Sequence, residues 1–282
     1  TTYQDILSEL HPKKIRLIAY WDEIEKFDPV TRKNIYDFTD LDWQMEEAKR
    51  VGVNVVLAFG MKVPRWPECH IPGWMVSPDF PQETRESLLR EYMRTLVLRY
   101  RANPALHMWQ VENEPFLLFG ECPERGEKFL DREIELVRSL DHRPILVTDG
   151  GEFGDWYRAA KVGDVFGTTM YRRVYPKFIG PFFGVIEYPF SPEFFRVKEA
   201  VVRRFTGDLT KRFIVGELQA EPWGRRPIIE LPYETQMQIF GPEYFHETIR
   251  YALDTNFDEY YLWGVEWWYW LKARGDPRMW KM

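Results

Sequence analysis

Short apolar runs recur along the chain at 15–20, 53–59, 106–111, 145–148, 165–170, 213–216 and 260–265, most of them rich in β-branched residues. Between them the apolar positions repeat with the period of a helix. The clearest such segment is 84–100, where Leu88, Leu89, Tyr92, Met93, Leu96, Val97 and Tyr100 fall on one face. A second helix is expected over 41–51, with Asp40 as N-cap and Gly52 as the C-terminal stop. Further helices are expected near 126–140, 191–205 and 234–253. Apolar runs separated by helices are the signature of buried parallel strands joined by crossovers. Seven strand–helix alternations without a dinucleotide-binding glycine fingerprint predict an α/β fold, a (β/α)8 TIM barrel rather than an open doubly wound sheet. The count is one short of eight. The chain opens on a helix-like segment, 3–10, and stops soon after the last run. Either the first strand and most of the last helix lie outside this sequence, or the barrel is broken.

No linker, low-complexity stretch or composition break interrupts the pattern, so residues 1–282 are read as one catalytic domain. Hydrophobic residues at 45% and charged residues at 29% describe a globular chain with a sizeable core. No apolar run approaches the roughly 20 residues that span a bilayer. The first ten residues carry no signal-peptide pattern and no initiator Met, so compartment is left open. Net charge, 38 − 44 = −6, argues against a nucleic-acid partner. Aromatic content is the one unusual number, 17% with 12 Trp, and many of these residues fall in expected loops. Exposed aromatic faces there suit the apolar C–H faces of pyranose rings.

In such a barrel the chemistry sits where strands end and the following loops begin. Two glutamates stand there. The run Trp109-Gln110-Val111-Glu112-Asn113-Glu114-Pro115 ends one strand, and Phe213-Ile214-Val215-Gly216-Glu217-Leu218 ends another three strands later. A retaining glycosidase needs two carboxyls about 5–5.5 Å apart, one protonated to assist the leaving oxygen and one ionised to attack the anomeric carbon. One strand-end glutamate alone is as well explained by a helix cap or an ion pair. Two on a barrel rim, Glu114 and Glu217, point to this chemistry. Glu221, Glu266 and Glu112 are rival carboxylates, the first read as lining the cleft and the last as structural. No cluster of His and Asp sits at strand ends, so neither metal nor cofactor is expected.

With Asn113-Glu114-Pro115 on the fourth strand of a barrel and Glu217 on the seventh, the chain resembles glycoside hydrolase clan A, the cellulase-like (β/α)8 superfamily. The resemblance runs from about Arg16 to Trp268. It implies that Glu114 is the acid/base and Glu217 the nucleophile, that Arg16 on the second strand helps keep Glu217 ionised, and that Tyr171, ending the sixth, hydrogen-bonds it. It also implies that Trp268, with Trp267 as rival, forms the platform under the sugar. Asn113 is then expected to bond the sugar 2-hydroxyl, an interaction that strengthens toward the transition state. The implied activity is an O-glycosyl hydrolase acting on β-linked gluco- or manno-configured oligo- or polysaccharides by double displacement. Transglycosylation at the same site and a non-catalytic carbohydrate-binding barrel are the alternatives.

Three loops shape what such a site would take. Trp66 and His70 follow the 53–59 run and are read as sugar contacts. Cys69, in the same loop, and Cys122, in the next, are compatible with a disulfide or with two free thiols; a metal site with His70 matches no zinc spacing. The stretch 175–190 carries Phe178, Phe182, Phe183, Tyr188 and Phe190, and is read as walling subsites, meeting a partner subunit or touching a membrane.

Overall fold

The computed structural model describes residues 1–77, 79–123 and 126–282. Seven strands make the main sheet: β1 (Lys14–Tyr20), β2 (Asn54–Gly60), β3 (Leu106–Val111), β4 (Ile145–Asp149), β5 (Val165–Met170), β6 (Arg212–Gln219) and β7 (Glu259–Trp263). Their order in the sheet is their order in the chain. Helices separate them: α1 (Thr39–Val51), α2 (Gln82–Tyr100), α3 (Glu127–Leu140), α4 (Tyr157–Val162), α5 (Pro192–Thr206) and α6 (Pro242–Thr255), with α7 (Val265–Ala273) after β7. This is the (β/α) repeat of a TIM-type barrel, in seven units. Residues before β1 are helical, Thr2–Asp5 and Ile6–Leu10, as their periodicity predicts.

The chain divides into two compact units, one of Leu7–Asp149 with Gly154–Phe166, the other of Thr1–Ile6, Gly150–Phe153 and Gly167–Met282. In the first, β1, β2, β3 and β4 pair in parallel, and β2 and β3 slip register between Val55 and Val56. Both faces of β2 are covered, and six of its seven residues are buried. Helix α1 ends where Gly52 takes a left-handed φ of 75°, letting Val53 N–H reach the Ala48 carbonyl and the chain enter β2. Large aromatic side chains are built into an otherwise aliphatic core. Trp21 stacks on Tyr92, whose hydroxyl donates to the Ala19 carbonyl at 2.9 Å and so ties α2 to β1. Trp109 meets Phe59 edge-on and donates to Asp141 at 3.0 Å, so the large rings are buried without stranding a donor.

In the other unit β6 and β7 pair in parallel, with a bulge. Val215 faces Tyr260 and Leu218 faces Leu262, so β6 spends one residue more than β7 across Gly216–Glu217. Strand β6 therefore runs to Gln219, three residues beyond the apolar run that predicted it. Strand β7 is shorter than expected, ending at Trp263 rather than Val265. Gly264 takes φ 142°, and a Cβ there would lie 2.6 Å from the Ala220 carbonyl oxygen. The chain turns at once into α7. The helix expected over 234–253 is two helices, Tyr233–Ile239 and α6, broken at Gly241-Pro242. Pro242 has no N–H to continue the first helix and begins the second instead.

Two small hairpins were not anticipated: Glu25–Asp28 with Lys33–Tyr36, and Arg173–Val174 with Ile186–Glu187. The second orders the stretch read as a loop. At its base Phe153, Tyr188, Phe190 and Phe194 pack ring on ring, with centroids 4.6–6.3 Å apart. Its tip, the helix Gly180–Phe183, leaves Phe178 85%, Phe182 84% and Phe183 73% exposed.

Candidate active site

Each of the two glutamates sits in its own compact unit, and each is held by its own network. Glu114 lies just past the end of β3. After Val111 the backbone leaves the extended region: Glu112 has φ 57° and Glu114 φ 45°, left-handed values uncommon for residues with side chains. Both are buried, as is Asn113 between them. The Asn113 side-chain oxygen accepts from Arg16 Nη2 at 2.9 Å, Gln110 Nε2 at 3.2 Å and Thr148 Oγ1 at 3.2 Å. Arginine can only donate, so this fixes which end of the carboxamide is oxygen and turns its NH2 the other way. Thr148 Oγ1 also accepts from the Glu114 N–H at 2.9 Å. Arg16 on β1 and Asn113 thus meet.

Glu217 lies inside the bulge of β6 and is 7% exposed. The Tyr171 hydroxyl, one residue beyond β5, donates to its Oε2 at 3.0 Å, the contact the resemblance implies. Tyr171 in turn stands edge-on to Trp223, with centroids 5.1 Å apart. The side chain of Gln219 accepts from Arg173 N–H at 3.0 Å and donates to the Arg173 carbonyl at 2.6 Å, so the backbone after Tyr171 is laced to the end of β6.

The tryptophans fall differently. Trp267 and Trp268 do not end the strand; they lie in the first turns of α7, both buried. Trp267 Nε1 donates to Gln236 at 2.7 Å and Trp268 Nε1 to the Ala220 carbonyl at 2.7 Å. Their rings pack edge-on against Phe240 and Phe245. The tryptophan that does end β7 is Trp263, half-buried, its Nε1 donating to Glu221 Oε1 at 3.0 Å. Sequence reasoning passed over it because the apolar run continues unbroken to Val265; Gly264 was the signal. Glu221 is accordingly a partner of Trp263.

Trp66 is 67% exposed and meets Phe119 edge-on at 6.1 Å. His70 is buried instead. Its Nδ1 lies 3.3 Å from Asp22, its Nε2 3.2 Å from the Arg65 carbonyl, and its ring packs on Tyr20 at 4.5 Å. Burial opposes protonation of this imidazole, but the Asp22 carboxylate outweighs it and holds its pKa above the usual histidine value. Both ring nitrogens are thus engaged by the fold, and His70 stands as a strut of the loop. Cys69 and Cys122 form a disulfide, Cα to Cα 4.7 Å, which joins the loops after β2 and β3 and takes up the thiol a metal would need.

No family model and no curated protein matches the chain. Solved structures do. A β-galactosidase from Rahnella sp. R3 aligns over 93% of this chain and 47% of its own, at TM-score 0.63 and 13% identity. A GH5_18 structure from Streptomyces cattleya in complex with GlcNAc aligns over 93% and 64%, at TM-score 0.61 and 13% identity. A β-glucuronidase from an uncultured Clostridium sp. aligns over 93% and 39%, at TM-score 0.56 and 14% identity. The chain spans between two fifths and two thirds of these proteins, and at such identities the likeness is one of fold.

Proposed function

We propose that the chain is a retaining β-glycoside hydrolase in which Glu114 is the acid/base and Glu217 the nucleophile. The observation that carries this reading is the pair of buried strand-end glutamates, each held by its own hydrogen-bonded neighbours, in a fold shared with glycosidases. Glu217 attacks the anomeric carbon while the Glu114 carboxyl gives its proton to the leaving oxygen. Glu114, now a carboxylate, then takes a proton from water as that water displaces Glu217. Tyr171 stabilises the Glu217 carboxylate and keeps one oxygen occupied, so the other is presented for attack. Asn113, its oxygen saturated by three donors, offers its NH2 to the sugar 2-hydroxyl. Arg16 orients that carboxamide and, by the clan A resemblance, favours the ionised nucleophile. Trp263 replaces Trp268 and Trp267 as the sugar platform, because it ends β7 and they are packed in α7.

The reading favours β-linked gluco- or manno-configured substrates. A panel of aryl β-glycosides tests it with the wild type, Glu217→Gln and Glu114→Gln. Glu217→Gln is expected to be inactive on every sugar. Glu114→Gln is expected to lose far more on poor leaving groups than on good ones, which need no protonation. Retention at the anomeric carbon, read by proton NMR of the first product, completes the test. Full activity of Glu217→Gln sinks the mechanism. A folded wild type that binds oligosaccharides and cleaves none returns the chain to a carbohydrate-binding barrel.

A further inference from the structure

Beneath the turn that carries Glu114 lies a buried charged cluster that the reaction does not use. Lys62, two residues past the end of β2, is 5% exposed; Glu68 lies by its ammonium, Glu112 accepts from its backbone N–H, and Glu133 is hydrogen-bonded to Glu112 in turn. Its ammonium donates to the Glu114 carbonyl at 2.8 Å and to the Leu117 carbonyl at 3.0 Å, with Glu68 Oε2 3.6 Å away as counter-ion. The backbone around it is tied in the opposite sense. The Glu112 carboxylate accepts from Met61 N–H at 2.7 Å and Lys62 N–H at 2.6 Å, and Asn113 N–H donates to the Lys62 carbonyl at 2.6 Å. Glu112 fits only because residue 60 is glycine, since a Cβ there would lie 2.4 Å from its Oε1. Burying an ammonium is costly unless its donors are met, and here two of its acceptors are carbonyls of one short turn.

We infer that Lys62 is the positioning residue of the acid/base. With its backbone N–H held by Glu112, its ammonium clamps the Glu114–Leu117 turn and holds Glu114 in its left-handed backbone conformation. The inference deepens the proposed function and rests on it for the word acid/base, but the clamp itself is a statement about one turn. Proton donation depends on alignment with the leaving oxygen, and displacement of about 1 Å can cost on the order of a hundredfold in rate. Lys62 touches no substrate in this scheme; it acts through the backbone of the residue that does.

The test is Lys62→Met, which keeps the length of the side chain and removes its donors. Against aryl β-glycosides of graded leaving-group pKa, it is expected to slow the poorest leaving group at least about tenfold more than the best. KM is expected to change little. Hydrogen exchange of the Asn113, Glu114 and Leu117 amides is expected to quicken. A merely structural lysine would lower the melting temperature and scale all substrates alike; equal loss across the series overturns the inference, and so does unchanged exchange in the turn. Should the methionine variant not fold, Lys62→Arg keeps a cation of different reach and carries the same two measurements. If the wild type cleaves nothing, the proposed function fails, and hydrogen exchange alone decides the clamp.

Discussion

The Tyr171–Glu217 hydrogen bond is the smallest unit of the site that can be removed cleanly. A phenol donating to a carboxylate is a charge-assisted bond, worth about 1.5–3 kcal/mol. Tyr171→Phe keeps the ring and its edge-on contact with Trp223 while deleting the donor. If Glu217 is the nucleophile, the substitution is expected to lower kcat by about ten- to a hundredfold with KM nearly unchanged, as steady-state kinetics would read. A drop confined to KM would place Tyr171 in binding instead. The apolar pattern shows a strand-end tyrosine at 171; its pairing with Glu217 was expected from the family resemblance, not from the pattern. Asn113 is the converse. The residue was legible, but Gln110 and Thr148, which fix its orientation, are ordinary strand residues until β3 and β4 pair.

Elements add constraints no single residue shows. The Cys69–Cys122 disulfide closes a loop across a separation of 53 residues, joining segments on either side of α2 and β3. Such a crosslink stabilises chiefly by restricting the unfolded chain, by roughly 2–4 kcal/mol. Urea unfolding with and without reductant is expected to differ by that amount, and Cys122→Ser to match the reduced protein. The aromatic hairpin behaves oppositely at its two ends. Phe182→Ser at the exposed tip is expected to leave stability within about 0.5 kcal/mol of wild type. Phe190→Ser at the packed base is expected to cost several times more, and thermal unfolding separates the two. At Gly264, alanine would meet the Ala220 carbonyl at 2.6 Å in a backbone conformation that disfavours side chains, so a clear loss of melting temperature is expected there.

For the molecule as a whole, buried carboxyls set how stability follows pH. Burial pushes Glu112 up to about 7 against the hydrogen bonds from Met61, Lys62 and Glu133, and burial pushes Glu152 up to about 7 against Lys198 and Arg172. Such groups hold protons in the native state at a pH where the unfolded chain has released them. The stability linked to them is therefore full below the ordinary glutamate range and is lost as pH rises from about 4.5 to about 7. Urea midpoints measured from pH 5 to pH 7.5 are expected to fall, and to fall less in Glu112→Gln, which carries no titrating carboxyl. A profile equally steep in that variant would mean that Glu112 does not hold its proton in the folded protein.

The alternation of apolar runs with helical segments already dictated parallel strands and crossovers, because burying both faces of a strand demands near-continuous apolar sequence. Six of the expected strands lie within two residues of their predicted ends; β6 is the exception. That strand outruns its apolar signal because a bulge changes which residues face which neighbour, and a bulge is a property of two strands together. The same limit hid the break at Gly241-Pro242 inside a periodic stretch and placed Trp268 at a strand end when it belongs to α7. Residue type and strand position singled out Glu114 and Glu217 as candidates, and the family resemblance added Asn113 and Tyr171. Tertiary structure alone decided other contacts of this rim: Thr148 under Glu114, Asp22 beside His70, Lys62 beneath the Glu114 turn. Hydrogen bonds between residues distant in the chain depend on register and loop path, and neither periodicity nor composition encodes those.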